Sequence, residues 1–165
     1  MIYLFKNVID SDTRIKIQNV IYNLYDKGAM RKNQAGPFRQ TTSPIHINNL
    51  VDLEFIKDRV KNACGISDYT NDTVLYGDFI SLITSGGFVH EHTDKYSGFS
   101  HARANILISK PINGGMPIIN GKRYEIEEGD GWLFFPDTDL HSTDIVAGDK
   151  PRMTISFGFT KNKRI

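Results

Sequence analysis

Arg152-Met153-Thr154-Ile155-Ser156-Phe157-Gly158-Phe159 alternates polar or small residues with large apolar ones at every position. Side chains of an extended strand point to opposite faces in turn, so Met153, Ile155, Phe157 and Phe159 share one face, and Arg152, Thr154, Ser156 and Gly158 share the other. Four large apolar side chains must be covered to be stable. The arginine-bearing face then looks into whatever the strand helps to enclose.

Working back from this strand, short β-rich runs separated by glycine, proline or polar residues occupy 74–84, 88–93, 103–109, 116–119, 123–126, 132–135 and 141–146. Seven or eight short strands with frequent turns point to a sandwich or jelly-roll barrel rather than to βαβ units. Two amphipathic helices precede them. Ile17, Val20, Ile21 and Leu24 recur at helical spacing after Asp10, Ser11 and Asp12, any of which can cap the start. Leu53, Ile56, Val60 and Ala63 do the same between Asn49 or Asp52 and Gly65. Their apolar stripes are the natural cover for Met153, Ile155, Phe157 and Phe159. The expected fold class is therefore mainly β with N-terminal helices packed on the outer face of one sheet.

A length of 165 residues is most simply one domain. Within it, residues 1–72 form a helical support with a long loop, 73–160 a β core and 161–165 a solvated tail. The loop, 27–48, is polar and punctuated by Gly28, Gly36, Pro37 and Pro44. Connections of that length are often lids or substrate-binding segments, the alternative being a surface excursion with a short strand.

Composition narrows the function classes. Twenty Lys and Arg against nineteen Asp and Glu leave a net charge of +1, which gives no electrostatic reason to expect nucleic acid as a partner. The single cysteine, Cys64, excludes an intrachain disulfide and a multi-cysteine zinc site, and its place in a helix-like stretch suits packing. The stretch Met1 to Lys6 lacks the marks of a secretory signal, and no run approaches transmembrane length. Cytoplasmic residence with no membrane contact is the resulting expectation, and Asn71-Asp72-Thr73 is then a chance match to a glycosylation acceptor.

His92-Thr93-Asp94 and His141 carry the chemistry. Two imidazoles and one carboxylate on one face of a metal leave other positions open, an arrangement suited to non-haem Fe(II). His92 and Asp94 project to the same side of an extended segment. His141 follows the buried run Trp132-Leu133-Phe134-Phe135 and its stop at Pro136. Arg152 comes eleven positions after His141, enough for one strand, a turn at Ala147-Gly148-Asp149-Lys150 and the start of the next strand. A guanidinium there can clamp a carboxylate through two parallel hydrogen bonds, with the Thr154 hydroxyl and Asn105 adding polar contacts.

These elements, in this order, resemble the Fe(II)- and 2-oxoglutarate-dependent oxygenases, particularly their small prolyl-hydroxylase-like members. The resemblance covers roughly 74–159. It rests on Gly86-Gly87-Phe88 before His92-Thr93-Asp94, on Asn105, on Gly129-Asp130, on His141 and on Arg152-Met153-Thr154. It implies a double-stranded β-helix, Fe(II) held by His92, Asp94 and His141, and 2-oxoglutarate anchored by Arg152. It also implies consumption of O2, release of succinate and carbon dioxide, and hydroxylation of a C–H bond, such as that of a peptidyl prolyl-like residue. The primary substrate is expected to be a peptide or small molecule, lined by Tyr96 and Phe99 and met by Arg39 or Arg31.

Two other readings compete. His90-Glu91-His92 offers a His-x-His pair of the kind cupins use for metal, although Arg152-Met153-Thr154 has no part in that scheme and a proline-x-glycine element is missing after Pro136. His90 is otherwise expected behind the ligands or at the rim, and His101 in a loop. A β-barrel binding module without catalysis would need none of the metal-ligating residues. Asp94 itself favours hydroxylation over halogenation, because family halogenases replace that carboxylate with a small residue.

Overall fold

The computed structural model describes residues 2–32, 38–95 and 97–163. Helix α1, Ser11–Asp26, begins where Asp10 accepts a hydrogen bond from the Thr13 amide at 2.8 Å, and α2, Leu53–Ala63, where Asp52 accepts from the Phe55 amide at 3.0 Å. Each cap satisfies one of the amides that a helix leaves without a partner in its first turn.

The strands, in chain order, are β1 (Tyr3–Phe5), β2 (Arg31–Lys32), β3 (Arg39–Thr42), β4 (Thr70–Asn71), β5 (Phe79–Ile83), β6 (Phe99–Ser109), β7 (Pro117–Ile119), β8 (Lys122–Arg123), β9 (Gly131–Phe134), β10 (His141–Thr143) and β11 (Arg152–Asn162). Among the described residues they form an eight-stranded sheet in the order β1-β9-β6-β11-β5-β3-β2, with β4 also on β11, and a three-stranded sheet β10-β7-β8. Every pairing is antiparallel.

Strand β11 sits at the centre of the large sheet, between β5 and β6. Met153, Ile155, Phe157 and Phe159 are fully buried in one cluster with Ile17 and Ile21 of α1 and Ile56 and Val60 of α2. Burial of each such side chain contributes about 1.5–3 kcal/mol. The opposite face of the sheet is organised in rows, because residues paired across antiparallel strands point the same way. Arg39, Ile83 and Arg152 make one row; Thr41, Ser81 and Thr154 make the next; Phe79, Ser156, Asn105 and Trp132 make a third. A register shift between Met153 and Thr154 leaves Ile108 as the extra residue of β6, so that Leu107 turns inward while Ile106 and Ile108 stay in the outer core.

Several expected boundaries move. The described residues of the 27–48 segment contain short strands, as one of its two readings allowed: β2 and β3 extend the large sheet, and a 3-10 turn spans Pro44–Ile47. Strand β3 is four residues long, too short for alternation to announce it. The expected strand at 74–84 shortens to β5, because the Asp72 carboxylate accepts from the amides of Val74, Leu75, Tyr76 and Gly77 and closes 72–77 into a turn. The strand expected at 88–93 is not a regular ladder. Its contacts to the 141–146 region are Gly87 with Val146, Val89 with Thr143 and His92 with His141. From Val89 to His92 is three residues, while from Thr143 to His141 is two, so the pairing slips by one residue between them. Strand β1, pairing with β9, was not anticipated.

Candidate metal centre and active-site cavity

The slip beside β10 decides which side chains meet. His92 and His141 exchange backbone hydrogen bonds of 3.0 and 2.9 Å, and the Asp94 amide donates to the Pro136 carbonyl at 2.7 Å. The ligand atoms of His92, Asp94 and His141 consequently lie within 4.8 Å of one another. Asp94 stands between the two imidazoles, with Oδ1 at 3.2 Å from His92 Nε2 and Oδ2 at 3.8 Å from His141 Nε2. Both rings are held from behind. Nδ1 of His92 donates to the His90 carbonyl at 2.5 Å, and Nδ1 of His141 donates to the Asp139 carbonyl at 2.9 Å. A carbonyl oxygen only accepts, so Nδ1 carries the proton in each ring, which leaves the Nε2 lone pairs facing the carboxylate. Acceptors arranged this way call for a cation between them.

Burial holds the His141 imidazole below its ordinary range, against the opposing pull of the Asp139 carbonyl. It is therefore neutral at pH 7, the form that ligates a metal. The Phe134 ring packs against it at 4.8 Å between centroids. His92 is the more open ligand, with its side chain 42% exposed against 10% for His141.

These three residues line a cavity of about 700 Å3, whose floor is the inward face of the large sheet. Arg152 is buried in that floor, its guanidinium 5.6 Å from the Trp132 ring centroid. Its Nε has no hydrogen-bond partner among the described residues. Burial, reinforced by the charge of Arg39, pulls the Arg152 cation down to about 9. A buried cation with an unmet donor is a position that waits for an anion. Thr154 and Asn105 line the same cavity.

Arg39 and Arg31 also line the cavity, but Phe99 does not: it opens β6 opposite Asn162, several residues away from the inward row at Asn105. Residues 99–102 belong to strand β6. Tyr96 lies outside the described residues. His90 reaches the rim, edge-on to Phe88 at 4.5 Å, and is not part of the three-residue cluster. His101 is not in a loop but fully buried in β6.

Sequence reading missed Arg103, Ser81 and Phe79. Arg103 lies in the cavity wall, donating to Ser156 Oγ at 2.9 Å and to the Gly77 carbonyl at 3.2 Å, with Asp72 at 3.8 Å. A glycine at 158 makes this possible, since a Cβ there would fall 2.8 Å from Arg103 Nη2 and 2.9 Å from Asp72 Cβ. The only advance signal was inward alternation along β11, which named Ser156 and Gly158 but not their partners across the sheet.

The architecture has known counterparts. A prolyl-4-hydroxylase from Pseudomonas putida superposes with a TM-score of 0.71 over 99% of this chain and 93% of its own, at 11% identity. A Trichoplax adhaerens prolyl hydroxylase, solved with a peptide fragment of the hypoxia inducible factor oxygen degradation domain, gives 0.73 over 98% of this chain and 83% of its own, at 13% identity. The viral collagen prolyl hydroxylase of Paramecium bursaria Chlorella virus-1, solved with 2-oxoglutarate, gives 0.71 over 98% and 96%, at 12% identity. The fold is that of the Fe(II)- and 2-oxoglutarate-dependent oxygenases. This is the jelly-roll fold that the sequence resemblance implied. No protein-family model matches the sequence, and no curated protein matches it. No described helix is long and apolar enough to cross a membrane.

Proposed function

We propose that this protein is an Fe(II)- and 2-oxoglutarate-dependent dioxygenase that hydroxylates a C–H bond of a peptidyl or small-molecule substrate. The observation that carries the reading is the convergence, in one cavity, of a His92–Asp94–His141 donor set with a buried arginine whose Nε has no hydrogen-bond partner among the described residues. Fe(II) with 2-oxoglutarate and O2 supplies the oxidising power, with succinate and carbon dioxide as co-products.

The chain's own residues divide the remaining work. His92, Asp94 and His141 hold the metal, the carboxylate offsetting part of its charge and the two carbonyls behind the rings fixing their aim. Arg152 binds the distal carboxylate of 2-oxoglutarate, where burial strengthens the charge-assisted bonds, and Thr154 and Asn105 supply further polar contacts. Trp132 and Phe134 keep that end of the cavity apolar. His90 stands behind the site through its backbone carbonyl. A cupin arrangement would need His90 among the ligands, and a simple binding module gives no reason for a buried Arg152 whose Nε has no partner among the described residues.

The test is a succinate-release assay with purified protein, with and without Fe(II), 2-oxoglutarate and O2. The expected result is slow turnover that needs all three, disappears in His92→Ala and rises with the correct primary substrate. Well-folded, metal-loaded protein that releases no succinate above the enzyme-free control would overturn the reading.

A further inference from the structure

The cavity is far more cationic than the chain that builds it. The whole chain carries a net charge of +1. Among the described residues, the cavity lining holds Arg31, Lys32, Arg39, Arg103 and Arg152 against a single carboxylate, Asp94. On the oxygenase reading, the metal and Asp94 together carry about one positive charge, and 2-oxoglutarate brings two negative ones, which the metal centre and Arg152 neutralise. Arg103 is committed to Ser156, Gly77 and Asp72. Arg39 is left over.

Its placement is specific. Arg39 is held at the inner face of β3, in the row that ends on Arg152, so that two strand spacings, about 10 Å, separate the two backbones. Nε of Arg39 donates to Ser81 Oγ at 3.2 Å, and the guanidinium lies 5.8 Å from the Phe79 ring centroid. No carboxylate of the described residues comes within ion-pair distance of it. Serine and phenylalanine thus fix one edge and one face of the guanidinium, leaving its outer edge to the cavity. Arg31 and Lys32, on the neighbouring strand β2, continue the positive charge outward to solvent.

We infer that Arg39 recognises an oxyanion, a carboxylate or a phosphate, on the primary substrate and holds it so that the carbon to be oxidised faces the metal. The inference rests on the oxygenase reading and extends it to substrate class. A planar guanidinium with one edge free binds such groups through two parallel hydrogen bonds. Arg31 and Lys32 then steer an anion toward the mouth, an effect that weakens with salt. A substrate neutral at this end leaves Arg39 half-buried with only the charge of Asp94, beyond ion-pair distance and shared with the metal site, to offset it.

The experiment is thermal denaturation of protein loaded with Ni(II) and 2-oxoglutarate, a combination that does not turn over. The probes are the N-acetyl amino acids, their C-terminal amides and a set of phosphate monoesters. Some acids or phosphates should raise Tm by about 3–5 °C at ten times their Kd, while the matching uncharged amides do not. Which of the two groups acts identifies the oxyanion. Arg39→Gln should abolish that shift, Arg39→Lys should keep part of it, and both should bind 2-oxoglutarate within about threefold of the unsubstituted protein. Equal shifts from acids and amides, shifts that survive Arg39→Gln, or no shift from any oxyanion probe would each overturn the inference. A large loss of 2-oxoglutarate affinity in Arg39→Gln would overturn it too, by assigning Arg39 to the cosubstrate. If neither Ni(II) nor 2-oxoglutarate binds, the oxygenase reading is what fails. The same panel on the unloaded protein then decides whether Arg39 selects anions.

Discussion

His92 and His141 are joined backbone to backbone by two hydrogen bonds, 3.0 and 2.9 Å, which bridge the 86–94 segment to β10. The two imidazoles are consequently set 4.2 Å apart, centroid to centroid, by the backbone itself. Such preorganisation removes ordering cost from binding. A divalent ion at a hundred times its Kd should stabilise the protein by about 2.7 kcal/mol, a rise in Tm of several degrees. Asp94→Ala should abolish the shift, as should His141→Ala. An unchanged shift in either variant would place the ion elsewhere.

Arg152 separates stability from binding. As a buried cation with an unpartnered Nε it opposes folding in the absence of an anion. Replacing a buried ion pair by apolar side chains of similar volume is often neutral or stabilising by about 1–4 kcal/mol, and here Arg152 has no ion-pair partner among the described residues that its removal would strand. Arg152→Met should therefore unfold at equal or higher urea concentration than the unsubstituted protein, while its affinity for 2-oxoglutarate falls by about 30-fold or more. Titration calorimetry on Mn(II)-loaded protein reads the second quantity. Lost affinity together with strong destabilisation would instead mark Arg152 as a structural residue.

Gly87 controls how the metal-binding segment enters the site. A Cβ there would meet Ile83 Cγ2 at 2.5 Å and Phe38 Cβ at 2.7 Å, so Gly87→Ala must push the segment off the sheet. The expected cost is about 1–3 kcal/mol in unfolding free energy. Metal affinity should weaken as well, since Gly87 is paired with Val146 on the path to His92. Equal metal affinity in a destabilised Gly87→Ala protein would show that the ligands are positioned independently of that path.

The buried polar network beyond the cavity sets the acid limit. Burial, and then the charge of Arg103, push the His101 imidazole down to about 4. The unfolded chain takes up a proton near pH 6.5 that the folded protein refuses until about pH 4. Stability is therefore full above pH 6.5 and declines by about 3 kcal/mol as pH falls through that window. Asp72 acts lower down. Burial raises its carboxyl, but four backbone amides outweigh that and hold it below the ordinary value of 3.8, so its contribution is present above that pH and lost below it. Urea unfolding from pH 7.5 to 4 should show the first decline, and His101→Gln should flatten it. An equal slope in the variant would assign the acid sensitivity to other groups.

The legible parts of this protein were those whose signal is local. Alternation along 152–159 fixed which residues of β11 face the helices and which face the cavity, and the spacing of His92, Asp94, His141 and Arg152 was enough to suspect one site. What stayed hidden depends on partners far apart in sequence. His101 was expected in a loop and Arg103 was given no role, because charged and polar side chains are rarely buried unless paired, and their setting, Asp72, Gly77 and Ser156, is assembled only by the sheet. His92-Thr93-Asp94 was enough to prefer His92 over His90 as the ligand, but the one-residue slip against β10 that turns His92 toward His141 is recorded in no motif. Arg39 was noticed, but its strand was not, because four residues of mixed polarity carry no period.

The most direct test of the central claim is an anaerobic absorption titration. Fe(II) and 2-oxoglutarate together should give a visible charge-transfer band that neither produces alone, absent in His92→Ala and requiring much higher 2-oxoglutarate in Arg152→Met. Folded protein that binds Fe(II) yet develops no band with 2-oxoglutarate, or one unaffected by both substitutions, would contradict the account.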